Sequence, residues 1–132
     1  MMVAMAFPTT KSTIEIAERE LGIKLPGEFR ERLIARNGGE LSTAGDTWQV
    51  FPVADSSKQK MPGHAVGDMV LENQQARARK GFPGGAVAIA VNRKGNLLLL
   101  LPEKSSAQLG PQVFVWDHET HQCTPSALSY ED

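Results

Sequence analysis

The chain has 132 residues, of which 41% are apolar, 22% are charged and 6% are aromatic, and its formal net charge at pH 7 is −1. This length fits a single domain over residues 1–132, large enough to hold a core without cross-links. The composition excludes a fibrous or disordered chain, and the charge argues against a general binder of nucleic acid. The only cysteine, Cys123, cannot form an internal disulfide.

The chain opens with a short apolar run, Met1 to Phe7, which has no Lys or Arg before it and is closed by Pro8. This pattern does not match a secretory signal. The longest apolar streak, Leu97 to Leu101, is far too short to span a bilayer. We therefore expect a cytoplasmic protein without membrane contact, in which residues 1–11 form a loose N-terminal segment.

Two helices are predicted at the start of the domain. In the first, Ser12 and Glu15 have the spacing of a capping box, in which both side chains satisfy free N–H groups of the first turn. Apolar residues then recur at helical spacing as far as Leu21, where Gly22 supplies a left-handed C-cap.

The second helix is predicted to begin at Leu25-Pro26-Gly27, because proline suits a first helical turn. Phe29, Leu33 and Ile34 form its predicted buried face, and its charged residues lie outside. Asn37-Gly38-Gly39 is predicted to end the helix, since both residue types tolerate positive φ.

A strand is predicted from Thr47 to Val53, and Pro52 indicates a sheet edge or the end of that strand. The polar stretch 55–63 is predicted to be a loop. A third helix is predicted from Asp68 to about Lys80, with the aspartate as its cap and basic residues in its last turn.

The second half of the chain is predicted to be sheet. The predicted strands are Ala86–Val91, Leu97–Leu101, Gln112–Trp116 and a short Gln122–Ser129. Gly95 lies in the turn between the first two strands, and Asp117 to Thr120 forms a second turn. Helices grouped before an antiparallel meander indicate the α+β class, with two N-terminal helices and one further helix on an antiparallel sheet.

His118-Glu119-Thr120-His121 is the segment that most resembles a metal site, with Cys123 and His64 as further ligands. A zincin motif needs two histidines four residues apart on a helix, whereas here they are three apart in a predicted hairpin turn. A polar turn is therefore the favoured interpretation, and no metal or other cofactor is predicted.

Two glycine-rich stretches, 37–39 and 81–85, follow helices and lead towards strands. A phosphate cradle needs the opposite order, from a strand into a helix N-terminus, so these stretches are predicted to be turns. No nucleophile motif surrounds Cys123, and Trp48 and Trp116 are predicted to be core or rim aromatics, because no basic residues alternate with them. The sequence predicts no enzyme.

Several short motifs occur in a fixed order over residues 12–129, and together they identify a family. They are Ile14-Glu15, Glu18-x-x-Leu21-Gly22, Leu25-Pro26, Glu28-Phe29-Arg30, Leu33, Asn37-Gly38-Gly39, Trp48-x-x-Phe51-Pro52, Gly95-Asn96 and Val115-Trp116-Asp117-His118-Glu119. In this combination the chain resembles the SUKH superfamily, the Smi–Knr type of domain. Many such domains continue into a Phe-rich C-terminal helix, whereas this chain stops at Asp132.

The resemblance implies helices packed on an antiparallel sheet and no shared catalytic residues. Bacterial members are similar to immunity proteins, which bind a cognate toxin, often a nuclease or deaminase, and block it. Other members resemble regulatory adaptors. The resemblance therefore implies a non-catalytic, protein-binding immunity protein.

Charge is unevenly distributed along the chain. Residues 58–104 contain eight Lys and Arg against three Asp and Glu, whereas residues 117–132 contain four acids and no Lys or Arg. A toxin that acts on nucleic acid has a basic substrate groove, which acidic side chains would match. The predicted partner-binding residues are Glu40, Asp46, Asp117, Glu119, Glu131 and Asp132.

Two other classes stay open from the sequence alone. One is a regulatory adaptor or small-ligand-binding domain, with a groove beside the sheet. The other is a metal-dependent hydrolase that uses His118, His121 and Cys123, which predicts bound metal and loss of stability in chelator.

Overall fold

The computed structural model describes residues 10–43, 46–53, 68–103 and 108–126. Within these residues the chain forms three helices and six strands. The helices are α1 (Lys11–Leu21), α2 (Gly27–Ala35) and α3 (Met69–Arg77), and the strands are β1 (Glu40–Thr43), β2 (Asp46–Val50), β3 (Val87–Val91), β4 (Leu97–Pro102), β5 (Leu109–Trp116) and β6 (Cys123–Ser126). The strands make one antiparallel sheet in chain order, which confirms the α+β prediction.

The centre of the sheet is buried on both faces. Successive side chains of a strand point to opposite faces, yet Leu97 to Leu100 of β4 and Val87 to Ala90 of β3 are all buried. Each such leucine contributes roughly 1.5–3 kcal/mol through its removal from water. The continuous apolar pattern of β3 and β4 therefore places them in the middle of the sheet.

The hairpin β1–β2 has one buried and one exposed face. Leu41, Trp48 and Val50 are buried, whereas the residues between them, such as Thr47 and Gln49, are exposed. This part of the sheet therefore presents a polar face to solvent.

Helix α1 begins earlier than the capping-box pattern predicts. Its N-cap is Thr10, whose Oγ1 accepts a hydrogen bond from the N–H of Thr13 at 3.2 Å. The predicted cap, Ser12, lies inside the first turn, and Lys11 of the predicted loose segment is helical. The predicted C-cap is confirmed: Gly22 is left-handed, with φ 76°.

Helix α2 begins at Gly27, with Pro26 as its N-cap and not in its first turn as predicted, and its end also differs. The left-handed residues after it are Gly38 and Gly39, with φ 100° and 81°, and the C-cap Arg36 is extended. Phe29 and Leu33 are fully buried, whereas Ile34, predicted on the same face, is 38% exposed.

Strand β1 is missing from the sequence prediction. It has four residues, of which only Leu41 is apolar, so periodicity gives no signal there. Its presence makes β2 an internal strand that ends at Val50, and Pro52 lies beyond that end. The strand-end interpretation of the proline is therefore confirmed, and the edge interpretation is wrong.

The remaining elements follow the prediction with shifted bounds. Asp68 caps α3 by accepting from the N–H groups of Val70 and Leu71, and the helix ends at Arg77. Strand β5 begins three residues earlier than predicted, at Leu109. The predicted loop 55–63 and the predicted strand beyond Ser126 lie outside the described residues.

Two buried asparagines take the place of a neighbouring strand. In α3, the Asn73 side chain donates to the carbonyl of Ala88 at 2.8 Å and accepts from its N–H at 2.6 Å, where β2 no longer pairs with β3. The Asn37 side chain makes the same two bonds with Val53, both at 2.8 Å. Each side-chain amide therefore satisfies main-chain groups that would otherwise be buried without partners.

Candidate functional site

Three hairpins close at the same end of the sheet, because every neighbouring pair of strands is antiparallel. The β1–β2 hairpin closes where Thr43 pairs with Asp46, and the other two close at the β3–β4 turn, 92–96, and the β5–β6 turn, 117–122. We call this region the turn end. Side-chain hydrogen bonds connect Asp46 with the β3–β4 turn, and the β3–β4 turn with the β5–β6 turn.

Asn92 organises the β3–β4 turn and holds Asp46. Its side chain is 8% exposed, and Oδ1 accepts hydrogen bonds from the N–H groups of Lys94 at 3.0 Å and Asn96 at 2.9 Å. Its Nδ2 donates to the Asp46 carboxylate at 2.7 Å. Gly95, with φ 87°, supplies the left-handed residue that this turn requires.

The β5–β6 turn is fixed from within and from the neighbouring turn. The Asp117 carboxylate accepts from the N–H groups of Glu119 at 2.8 Å and Thr120 at 3.1 Å, and these bonds lower the pKa of Asp117. The Asn96 Oδ1 accepts from the main-chain N–H of His118 at 3.2 Å and lies 2.7 Å from its Nδ1. Since an amide oxygen only accepts, Nδ1 of His118 carries the hydrogen in this arrangement.

An open cleft of about 730 Å³ adjoins the turn end. The exposed face of β1–β2 forms one side of the cleft, and the β3–β4 turn forms the other. It is lined by Glu40, Asp46, Thr47, Gln49, Val91, Asn92, Arg93 and Lys94. The cleft is polar and carries charges of both signs.

The predicted partner-binding acids fall into three groups. Glu40 and Asp46 line the cleft, and Asp117 and Glu119 lie in the β5–β6 turn at the same end of the sheet. Glu131 and Asp132 lie outside the described residues. Asp46 accepts from the N–H of Thr47 and from the Asn92 side chain, and Asp117 accepts from two N–H groups of its own turn, so both carboxylates already have partners within the fold.

Two basic residues of this surface were missed by the sequence prediction. Arg93 and Lys94 are exposed at the tip of the β3–β4 turn, between the acids of β1–β2 and those of the β5–β6 turn. Lys94 is close enough to Asp117 to contribute to the lowered pKa of that carboxyl. The signal was present in the sequence: in an antiparallel meander, alternate turns share one end of the sheet.

The histidines of the suggested metal site do not converge. His118 faces Asn96, whereas the His121 ring stacks on Trp116 with 5.8 Å between centroids and 6° between planes. Among residues 10–43, 46–53, 68–103 and 108–126, no group of three or more His, Cys, Asp or Glu is placed to hold a metal ion. His64 lies outside these ranges.

Trp116 is the centre of an aromatic cluster beside the turn end. Phe82 meets its ring edge-on with 5.4 Å between centroids, and the Arg79 guanidinium carbon lies 5.7 Å from the ring centroid. The indole Nε1 is buried and has no hydrogen-bond partner among the residues described. Packing, stacking and a cation–π contact therefore hold the β5–β6 turn against the segment that follows α3.

Gly81 allows the close approach of His121 to this cluster. Its φ is 84°, and a Cβ at this position would lie 2.5 Å from Cγ of the His121 ring. We expect Gly81→Ala to lower the free energy of unfolding by about 1–2 kcal/mol for the left-handed conformation alone, plus the loss of ring stacking. Urea denaturation would measure this. Gly84→Ala is the matched control, since its φ is not positive and a Cβ there meets nothing within 4 Å. Equal stabilities of the two variants would contradict the expectation.

A buried ion pair fixes the connection between α1 and α2, and the sequence prediction did not include it. Glu18 is only 5% exposed, and its carboxylate accepts from the N–H of Leu25 at 2.7 Å and from two nitrogens of Arg30 at 3.0 and 3.2 Å. The hydrogen bonds that Arg30 donates to Glu18 raise the pKa of Arg30.

Arg32 is a second charged residue that supports the fold. It was predicted on the outer face of α2, but its guanidinium donates to the carbonyls of Arg36 at 2.9 Å and Gly38 at 2.8 Å. Burial, with a smaller effect of Arg36, lowers the pKa of Arg32 to about 10, so it stays charged at neutral pH. It therefore caps the end of α2 and the glycine turn that leads to β1.

The residues predicted as the fold signature occupy structural positions. Leu25, Trp48 and Trp116 are in the core, and Pro26 precedes α2. Asn37 binds Val53, while Gly38, Gly39 and Gly95 take left-handed conformations in turns. These residues therefore serve the core or the connections between elements.

Comparison with known proteins supports the resemblance given by these motifs. No curated protein and no solved structure matches the chain significantly. None of the helices described is both long and apolar enough to cross a membrane. Residues 8–132 match a family described as SMI1 / KNR4 (SUKH-1), which is nearly the whole length. On this match the chain belongs to the SMI1/KNR4 family.

Proposed function

We propose that the chain is a non-catalytic protein-binding domain, and specifically an immunity protein that neutralises a cognate bacterial toxin by covering its active site. Family membership supports this role, because SUKH proteins are generally non-catalytic immunity proteins. The toxin is of the nuclease or deaminase class, whose basic substrate groove would attract acidic side chains.

The observation that carries the proposal is the rigid, charged turn end. Its exposed charges sit on turns whose backbones are fixed by Asn92, Asn96 and Asp117. A surface that is already ordered loses little conformational entropy on binding, so more of the contact energy appears as affinity. A stable interface buries about 1,600 Å² in total, more than the cleft alone offers. We therefore expect the surrounding turns to take part.

The test uses the full chain and the toxin domain encoded by the adjacent gene. We expect the toxin domain to kill a host that lacks this chain, and co-expression of the chain to restore growth. Calorimetry should show that the toxin domain and the chain bind one to one. A harmless neighbour that does not bind the purified chain would refute the proposal for that pair. Loss of the purified toxin's catalytic activity on addition of one equivalent of the chain would show that binding blocks the enzyme itself.

The cleft favours a second candidate, a small-ligand-binding regulator, because its volume of about 730 Å³ lies within the usual range for ligand pockets. Its charged lining indicates a polar ligand. A true ligand at 100 times its dissociation constant stabilises the folded state by about 2.7 kcal/mol. A metabolite that raises the free energy of unfolding by this amount, seen as a higher melting temperature, would favour this candidate if the chain binds no toxin.

A further inference from the structure

We infer that the toxin docks on the cleft and the β3–β4 turn, and that it presents both signs of charge there: basic side chains to Glu40 and Asp46, and an acidic side chain to Arg93 and Lys94. This inference rests on the proposed function. The inference goes beyond the proposed function by assigning the docking face and the charge pattern of the partner. A partner surface that is uniformly basic does not fit it.

The exposed face of β1–β2 provides a flat floor for such a partner. Glu40 pairs with Gln49, and Gln49 pairs with Val91 of β3, so the three side chains form one row across three strands. Glu40 and Gln49 are exposed and Val91 is half-buried. The floor therefore combines a polar surface, formed by Glu40 and Gln49, with one apolar contact at the β3 end of the row, where Val91 is only partly buried.

The sign of the charge alternates from one hairpin to the next. Glu40 and Asp46 of β1–β2 line the cleft together with Arg93 and Lys94 of the β3–β4 turn, and Asp117 and Glu119 lie on the β5–β6 turn. Like charges placed opposite one another at an interface are strongly unfavourable. A basic groove that contacts the acids must therefore carry an acid, or a gap, where it meets Arg93 and Lys94.

The basic tip is held in place by a buried side chain. Asn92 binds the N–H groups of Lys94 and Asn96, and its other end binds Asp46. The distance between the basic tip and Asp46 is therefore set by the fold. Such a fixed pattern selects a partner by rejecting surfaces whose charges are in the wrong order.

The experiment measures binding of the same toxin domain to charge variants of the full chain. Glu40→Lys removes an exposed acid that does not hold a turn, and Arg93→Glu with Lys94→Glu reverses the basic tip. We expect each to weaken binding at least tenfold, mainly through a slower association rate, with the difference shrinking at high salt. The matched controls are Glu20→Lys and Lys11→Glu, exposed positions on α1, for which we expect less than a threefold change.

Compensating variants of the toxin then test the charge pattern itself. An acid introduced in the toxin should restore binding of Glu40→Lys, and a base should restore binding of the double variant. If the wild-type chain binds the toxin but both charge variants bind within threefold of it, the docking face is wrong and the proposed function stands. If the variant with Arg93→Glu and Lys94→Glu binds the toxin more tightly than the wild-type chain does, the partner is uniformly basic and the inferred charge pattern is refuted. Failure of the wild-type chain to bind refutes the proposed function for that toxin, and the docking face with it.

Discussion

Asn73→Ala is expected to lower the free energy of unfolding by about 3 kcal/mol, counting the lost partners of two buried main-chain groups at 1–3 kcal/mol each. Asn73 is fully buried in α3, and its amide binds both the N–H and the carbonyl of Ala88. An alanine there leaves both groups without a partner and without access to water. Since domains of this kind are stable by about 5–15 kcal/mol, the loss removes a large part of the total.

Urea denaturation followed by tryptophan fluorescence would measure the change, and amide hydrogen exchange at Ala88 would locate it. Gln74→Ala is the matched control, because Gln74 is the exposed neighbour on the same helix and should change stability by less than about 0.5 kcal/mol.

A second variant separates hydrogen bonding from packing. Asn73→Asp keeps the shape of the side chain and still accepts from the Ala88 N–H, but it places a carboxylate against the carbonyl oxygens of Ala88 and Met69, to which Nδ2 now donates. We expect it to be at least as destabilising as the alanine at neutral pH. An Asn73→Asp variant as stable as wild type would show that the amide is not needed as a donor.

The two helices that open the chain and the central strands could be predicted because their signals are local. Apolar spacing marks the buried residues of α1, and the continuous apolar runs of β3 and β4 mark strands covered on both faces. Gly22 ends α1 as its position predicts. Strand β1 was missed for the same reason: with Leu41 as its only apolar residue, it depends on pairing with β2.

The roles of the buried polar residues could not be predicted, because their partners are distant in sequence. Asn73 binds a residue fifteen positions away, and Asn37 binds one sixteen positions away. In the sequence, Asn73 is only a polar residue within a predicted helix, and Asn37 is only a residue of a predicted turn. Their side chains act as strand-like partners only in the folded sheet, Asn73 where β2 no longer pairs with β3 and Asn37 beyond the end of β2.

Only part of the candidate site could be predicted, because its turns are connected by residues that are distant in sequence. Acidic residues at 46 and 117 could be selected from charge alone, and the meander places both at the turn end. Their connection through Asn92 and Asn96 depends on tertiary contacts between turns far apart in sequence. Arg93 and Lys94 were interpreted as ordinary turn residues, although the predicted meander already places their turn at the same end of the sheet as the turn at Asp117.

Glu18→Ala is expected to destabilise the chain by about 3 kcal/mol, the lower end of the range for removing one member of a buried ion pair, because Arg30 keeps some access to water. The change also leaves the buried N–H of Leu25 without its acceptor. Denaturant unfolding would measure the loss, with Glu20→Ala on the exposed side of α1 as the control, expected to stay within about 0.5 kcal/mol.

Glu18→Gln distinguishes the charge from the hydrogen bonds. Its amide oxygen can still accept from Leu25, but its NH₂ group meets the Arg30 guanidinium where a carboxylate oxygen now accepts. We expect a loss between those of the control and the alanine variant. A double-mutant cycle with Arg30→Ala then measures the coupling energy between Glu18 and Arg30. We expect this ion pair, more than the packing of α1 on α2, to fix the connection between the two helices. A coupling energy of zero within the error of measurement would contradict that expectation.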